Sequence, residues 1–125
     1  MTGTAAGADF SLAGRVAIIT GAAGLLGVRH AEAIAAAGGI PVLADVRGEA
    51  AVAAALAIAE RFDVPALGIG ADVTSRASVT AMLEVTQQKL GRVDILVNNA
   101  ARNPRVESAS DSFTSLEQFS LDEWN

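Results

Sequence analysis

Four short apolar runs alternate with helix-length segments in this chain, and that alternation limits the fold more than any other feature. Val16-Ala17-Ile18-Ile19, bounded by Gly14 and Gly21, reads as a strand buried on both faces. Leu25 to Ala37 holds no proline and runs into Gly38-Gly39, so it reads as a helix with a glycine stop. Val42-Leu43-Ala44 is the second run and ends at Asp45. Between Glu49 and Phe62, the residues Val52, Ala55, Leu56 and Ala59 fall at i, i+3, i+4 and i+7, which predicts one buried helical face. Pro65 to Ala71 is a third, glycine-rich strand ending at Asp72. Thr74 is the expected N-cap of the next helix, with Val79, Met82, Leu83, Thr86 and Leu90 as its stripe and Gly91 as its stop. Val93 to Val97 reads as a fourth strand, buried on both faces and ending at Asn98-Asn99. Residues Ala101 to Ser120 are polar, with Pro104 and several serines, and read as a loop; Leu121 onward reads as the first turn of a helix. Strands alternating with helices of this length predict an α/β fold of parallel βαβ units, with helices on both faces of the sheet.

Composition narrows the function. A chain of 125 residues fits one domain at most, and Met1 to Asp9, small and rich in Gly, Ala and Thr, reads as a loose tail. A net charge of -5 argues against a phosphate-backbone footprint, so nucleic acid is not an expected partner. The absence of cysteine removes thiolate chemistry and disulfides, which suits a cytoplasmic setting, and a single histidine leaves no multi-His metal site. No run reaches the about 20 apolar residues of a membrane helix, and no membrane partner is expected. Tyrosine is absent and Lys89 is the only lysine, so chemistry with a tyrosine proton donor cannot occur in these residues.

The motifs sit where the strands end. Thr20-Gly21-Ala22-Ala23-Gly24-Leu25-Leu26-Gly27 follows a strand and opens a helix. Glycine permits the tight reversal, missing side chains let backbone N–H groups approach a pyrophosphate, and the helix N-terminus adds its positive dipole end. Gly21, Ala23, Gly24, Leu25, Leu26 and Gly27 are therefore candidate dinucleotide-binding residues. Asp45 ends the second strand close to the roughly 20-residue spacing of a ribose-binding acid. A carboxylate there accepts from the 2′- and 3′-hydroxyls and repels a 2′-phosphate, which favours NAD over NADP. Arg47 is the opposing feature, but no basic residue lies within the glycine loop. Val46 joins Asp45 as a candidate. Asp72-Val73 and Asn98-Asn99-Ala100-Ala101 end the third and fourth strands, where side-chain amides can tie neighbouring backbones together. His30 reads as a structural or solvated helical residue, and Trp124 as a packing residue. Arg102 to Arg105 follow the fourth strand at the edge where ligands bind in open α/β folds.

Taken in order, Thr20 to Gly27, Asp72-Val73-Thr74 and Val93 to Ala100 resemble the short-chain dehydrogenase/reductase family, from about Leu12 to Asn125. The resemblance implies a doubly wound Rossmann-type sheet of order 3-2-1-4, incomplete over residues 12–125. It implies NAD-dependent hydride transfer between an alcohol and a carbonyl compound, and a homo-oligomeric parent. It assigns the pyrophosphate to the glycine loop, the adenosine ribose to Asp45, and the adenine to Asp72 and Val73. Asn98 to Ala101 would stabilise the sheet and line the two riboses. The glycines at 21, 24 and 27 follow the spacing of the extended, sugar-nucleotide-modifying branch, and Leu25 takes the place of the classical branch's middle glycine. The Asn-Asn-Ala signature and the overall spacing side with the classical branch, although Ala101 stands where glycine is usual. The family's catalytic Ser, Tyr, Lys and helix Asn lie downstream of this region, so the chain is expected to be the N-terminal half of a longer enzyme or a truncated product of its gene, and on its own at most to bind the dinucleotide. A non-catalytic nucleotide-binding module and a sugar-nucleotide epimerase or dehydratase fragment are the alternatives.

Overall fold

A computed structural model of the chain describes residues 10–100. The elements in chain order are β1 (Val16–Thr20), α1 (Leu25–Ala36), β2 (Ile40–Asp45), α2 (Gly48–Phe62), β3 (Leu67–Gly70), α3 (Arg76–Leu90) and β4 (Ile95–Val97). The strands form one parallel sheet in the order β3-β2-β1-β4, the order implied by the resemblance. Val16 pairs with Ile40 and Thr20 with Ala44 across β1 and β2, while Ala17 pairs with Ile95 and Ile19 with Val97 across β1 and β4. No helix among the described residues is long and apolar enough to cross a membrane.

The two central strands are continuous apolar runs because both their faces are covered. Alternate residues feed separate cores. Ile19 and Leu43 pack with Ala31 and Ala35 of α1 and Ala51, Ala55 and Ile58 of α2. Val16, Ile18, Val42 and Ala44 face the other way and pack with Ala71, just past β3, and with Met82 of α3.

Helix ends follow local chemistry. α1 stops as expected, with Gly38 at φ +86° and its N–H donating to the Ala35 carbonyl. α2 ends on Asp63 in the left-handed region at φ +54°. α3 stops at Gly91 as read from the sequence.

Several expectations need correction. The N-cap of α3 is Ser75, whose Oγ accepts from the Ser78 N–H at 3.2 Å; Thr74 is instead bound to Asp72. The buried stripe of α2 is Ala51, Ala55 and Ile58, whereas Val52 and Leu56 are exposed, Leu56 by 67%. The physical reason is close approach: a Cβ on Gly68 of β3 would fall 2.4 Å from the Val52 Cα, so the first turns of α2 cover the sheet with alanines, and a larger side chain, Ile58, is buried only further along the helix. Leu83 is exposed, while Val79, Met82, Thr86 and Leu90 form the packed stripe of α3. β3 and β4 are shorter than read. β4 alternates rather than being buried on both faces: Ile95 and Val97 are half-buried, but Leu96 is 57% exposed. The expected tail over residues 1–9, Ala101 and the segment beyond it, including Arg102 to Arg105, the 101–120 loop and Trp124, lie outside the described residues.

Candidate functional site

The chain steps outward from β1 to β2 and β3, then returns to place β4 on the other side of β1. In open sheets, ligands bind at the carboxyl ends of the strands where the order reverses. The glycine loop (residues 21–24) leaves β1 at this point.

Gly21 in the loop and Gly27 in the first turn of α1 are required by the backbone. Gly21 holds φ +61°, and a Cβ there would sit 2.8 Å from the Ala100 Cα. A Cβ on Gly27 would fall 2.4 Å from the Gly21 carbonyl oxygen and 2.6 Å from the Ala22 Cα. The first turn of α1 is thus pressed onto the loop. Gly24 is the N-cap, has no side-chain cap, and is followed by no acidic residue in the first turn. The first-turn amides of a helix have no carbonyl one turn back to reach, so this end presents bare donors. Leu25 and Leu26 flank it and are exposed.

One hydroxyl ties β1 to β4. Thr20 is buried, and its Oγ1 accepts from the Asn99 and Ala100 N–H groups, each at 3.1 Å, while its own hydroxyl donates to the Val97 carbonyl at 3.4 Å. The Asn99 side-chain Nδ2 donates to the Gly21 carbonyl at 3.2 Å. Asn99 therefore performs the tying role read from the sequence, while Asn98 is exposed and makes no side-chain hydrogen bond among the described residues.

Asp45 is 7% exposed at the end of β2. Its Oδ2 accepts from the Ala23 N–H at 3.0 Å, and its Oδ1 accepts from the Arg47 N–H at 2.9 Å. The Arg47 guanidinium Nε lies 3.5 Å from Oδ1 and is largely solvent-exposed. Val46 and Val73 are exposed apolar residues just past the ends of β2 and β3. Asp72 is engaged in its own turn. Its Oδ1 accepts from the Thr74 N–H at 2.9 Å and the Thr74 hydroxyl at 2.6 Å, and these bonds hold its carboxyl below the ordinary aspartate range. The Asp72 N–H in turn donates to the Ser78 hydroxyl oxygen at 2.8 Å.

The structure thus brings Gly21, Ala23, Gly24, Gly27, Asp45, Asn99 and Ala100 into one connected cluster. Asp72 shares only the sheet edge with them, through the Ala71 N–H donated to the Asp45 carbonyl. The tie made by Thr20 has one signal in the sequence, a hydroxyl that closes an apolar strand just before glycine. Asp94 has no such signal in the sequence: its Oδ2 accepts from the Val16 N–H at 2.8 Å while Arg92 donates to both carboxylate oxygens. Those bonds, Arg92's first, hold the Asp94 carboxyl below its ordinary value. No group of three or more His, Cys, Asp or Glu suited to a metal occurs among the described residues.

The sequence model of the short chain dehydrogenases matches residues 15–124. This chain belongs to that family. It is 42% identical over 106 residues to the uncharacterized oxidoreductase YxjF of Bacillus subtilis, a match covering 82% of this chain and 40% of that protein. The short-chain dehydrogenase fold recurs in the NADPH-dependent 3-quinuclidinone reductase of Rhodotorula rubra, at 34% identity and TM-score 0.72, over 76% of this chain and 36% of that one. NAD+-bound xylitol dehydrogenase superposes at TM-score 0.68 with 32% identity, over 72% and 34% of the two chains. The chain thus spans well under half the length of these family members.

Proposed function

We propose that residues 12–100 are the dinucleotide-binding part of an oxidoreductase that interconverts an alcohol and a carbonyl, with NAD preferred over NADP. The observation that carries this reading is the bare N-terminus of α1, uncapped and free of acidic residues in its first turn, set beside the Asp45 carboxylate. Bare amides and the positive end of a helix dipole suit a pyrophosphate. A carboxylate offers about four lone-pair positions, and two backbone amides occupy one position on each oxygen. The second position on Oδ2 therefore remains for a ribose hydroxyl, and the second on Oδ1 is contested by the Arg47 Nε 3.5 Å away. The donors and acceptors present fit a nicotinamide dinucleotide.

When bound, the dinucleotide supplies or accepts the hydride. The residues described here bind and orient it: Gly21 to Gly27 for the pyrophosphate, Asp45 and Val46 for the adenosine ribose, Asp72 and Val73 for the adenine. Asn98, Asn99 and Ala100 form the wall towards the other ribose, with Ala101 next in sequence. Of the two solved relatives, one is named NADPH-dependent and the other is NAD+-bound, so the family alone does not choose the cofactor. Asp45 chooses it, because its charge opposes a 2′-phosphate at the site where Arg47 is already drawn towards that carboxylate.

Calorimetric titration of the chain with NAD and with NADP tests the reading. NAD is expected to bind about tenfold tighter, roughly the 1.4 kcal/mol that one unfavourable charge contact contributes. NADP binding as tightly as NAD would transfer the choice to Arg47, and binding of neither would refute the dinucleotide reading.

A further inference from the structure

Asp45 is built to do more than meet a sugar. The glycine loop has two attachments to the end of β2. The Ala22 N–H donates to the Ala44 carbonyl at 3.1 Å, and the Ala23 N–H donates to the Asp45 side chain at 3.0 Å. The next residue, Gly24, is the N-cap of α1. On the opposite side the loop is held by the Asn99 amide at the Gly21 carbonyl. Beyond Ala23 the Gly24 N–H only closes the turn onto the Gly21 carbonyl at 3.2 Å, within the loop itself, so the last hold from outside the loop before the anion-facing amides is the Asp45 carboxylate. That carboxylate is itself held in place. It is almost fully buried, its second oxygen accepts from the Arg47 N–H, and its backbone carbonyl accepts from the Ala71 N–H at 2.9 Å.

We propose that Asp45 is a positioning residue for the pyrophosphate end of the site as well as an acceptor for the ribose: through Ala23 it sets the direction in which the first-turn amides of α1 point. This inference rests on the dinucleotide reading above. Its consequence differs from that of a ribose acceptor alone. Removing Asp45 weakens ligands that have no ribose hydroxyl to offer, because the loop that meets their phosphates is no longer fixed.

The test compares ADP with 2′,3′-dideoxyadenosine 5′-diphosphate on the full chain and on Asp45→Ala. The substitution is expected to weaken the dideoxy compound about tenfold and ADP by more, since hydrogen bonds to a charged acceptor are among the stronger ones. In the variant, amide exchange should accelerate at Ala23 and stay unchanged at Ile18 and Leu43, a local change that a general loss of stability would not produce. Unchanged affinity for the dideoxy compound, with ADP alone weakened, would overturn the inference and leave the dinucleotide reading standing. If the unsubstituted chain bound neither diphosphate, both would fall. If Asp45→Ala fails to fold, the unsubstituted, ligand-free chain decides: protection of the Ala23 amide is expected, and exchange at the rate of an unstructured peptide overturns the proposal.

Discussion

Replacing Gly27 with alanine adds one methyl group where two backbone segments already meet. The new Cβ would stand 2.4 Å from the Gly21 carbonyl oxygen, 2.6 Å from the Ala22 Cα and 3.0 Å from the Asn99 Nδ2. The helix must back away by about 0.6 Å to reach even a 3.0 Å contact, and the two nearest opposing atoms are both backbone. Three effects compete. Alanine inside a helix gains about 1 kcal/mol over glycine. Overpacking costs about 1–3 kcal/mol, and displacing the Asn99 amide from the Gly21 carbonyl removes a bond with a net contribution of about 1 kcal/mol. Packing wins, and Gly27→Ala is expected to destabilise by about 1–3 kcal/mol. Gly24→Ala is the control in the same loop. Its Cβ meets only the Gly21 carbonyl oxygen at 3.4 Å, its φ is −78°, and the change is expected to stay within about 0.5 kcal/mol. Urea unfolding followed by circular dichroism reads both variants against the parent chain. A Gly27→Ala midpoint equal to or above that of the parent would refute the close contact between α1 and the loop.

Thr20→Val keeps the shape but leaves the Asn99 and Ala100 amides without their acceptor; a loss of about 1–3 kcal/mol is expected in urea unfolding, and Thr20→Ser should restore most of it. Asp94 has a lowered folded-state pKa, so its contribution is complete above the unfolded aspartate value and lost as pH falls through the lower folded value. Unfolding free energy measured through that acid range should fall less steeply in Asp94→Asn than in the parent, and an identical acid limb would refute the clamp on Val16. Leu96 is an exposed apolar residue on a strand at one end of the described sheet, a template for association. Leu96→Lys is expected to lower the apparent size at high concentration in sizing chromatography, and no change would show that this face does not drive self-association.

The sequence by itself determined the sheet's central strands and the helix stops. Val16 to Ile19 and Val42 to Ala44 are apolar at every position because both faces are covered, and Gly38 and Gly91 end helices because they adopt positive φ cheaply. It also placed the candidate site, since the glycine loop, Asp45, Asp72 and Asn98-Asn99 each close a strand, and parallel strands gather those ends at one edge. Tertiary structure alone decided which residues there touch. Thr20 and Asn99 meet across 79 positions of sequence, a separation that no local pattern encodes. It also decided which stripe of α2 is buried. Val52 with Leu56 and Ala51 with Ala55 are both helical stripes in the sequence, and hydrophobicity favours the first. The glycine at position 68 lets the first turns of α2 approach the sheet so closely that Ala51 and Ala55 cover it there, while Val52 and Leu56 are left exposed.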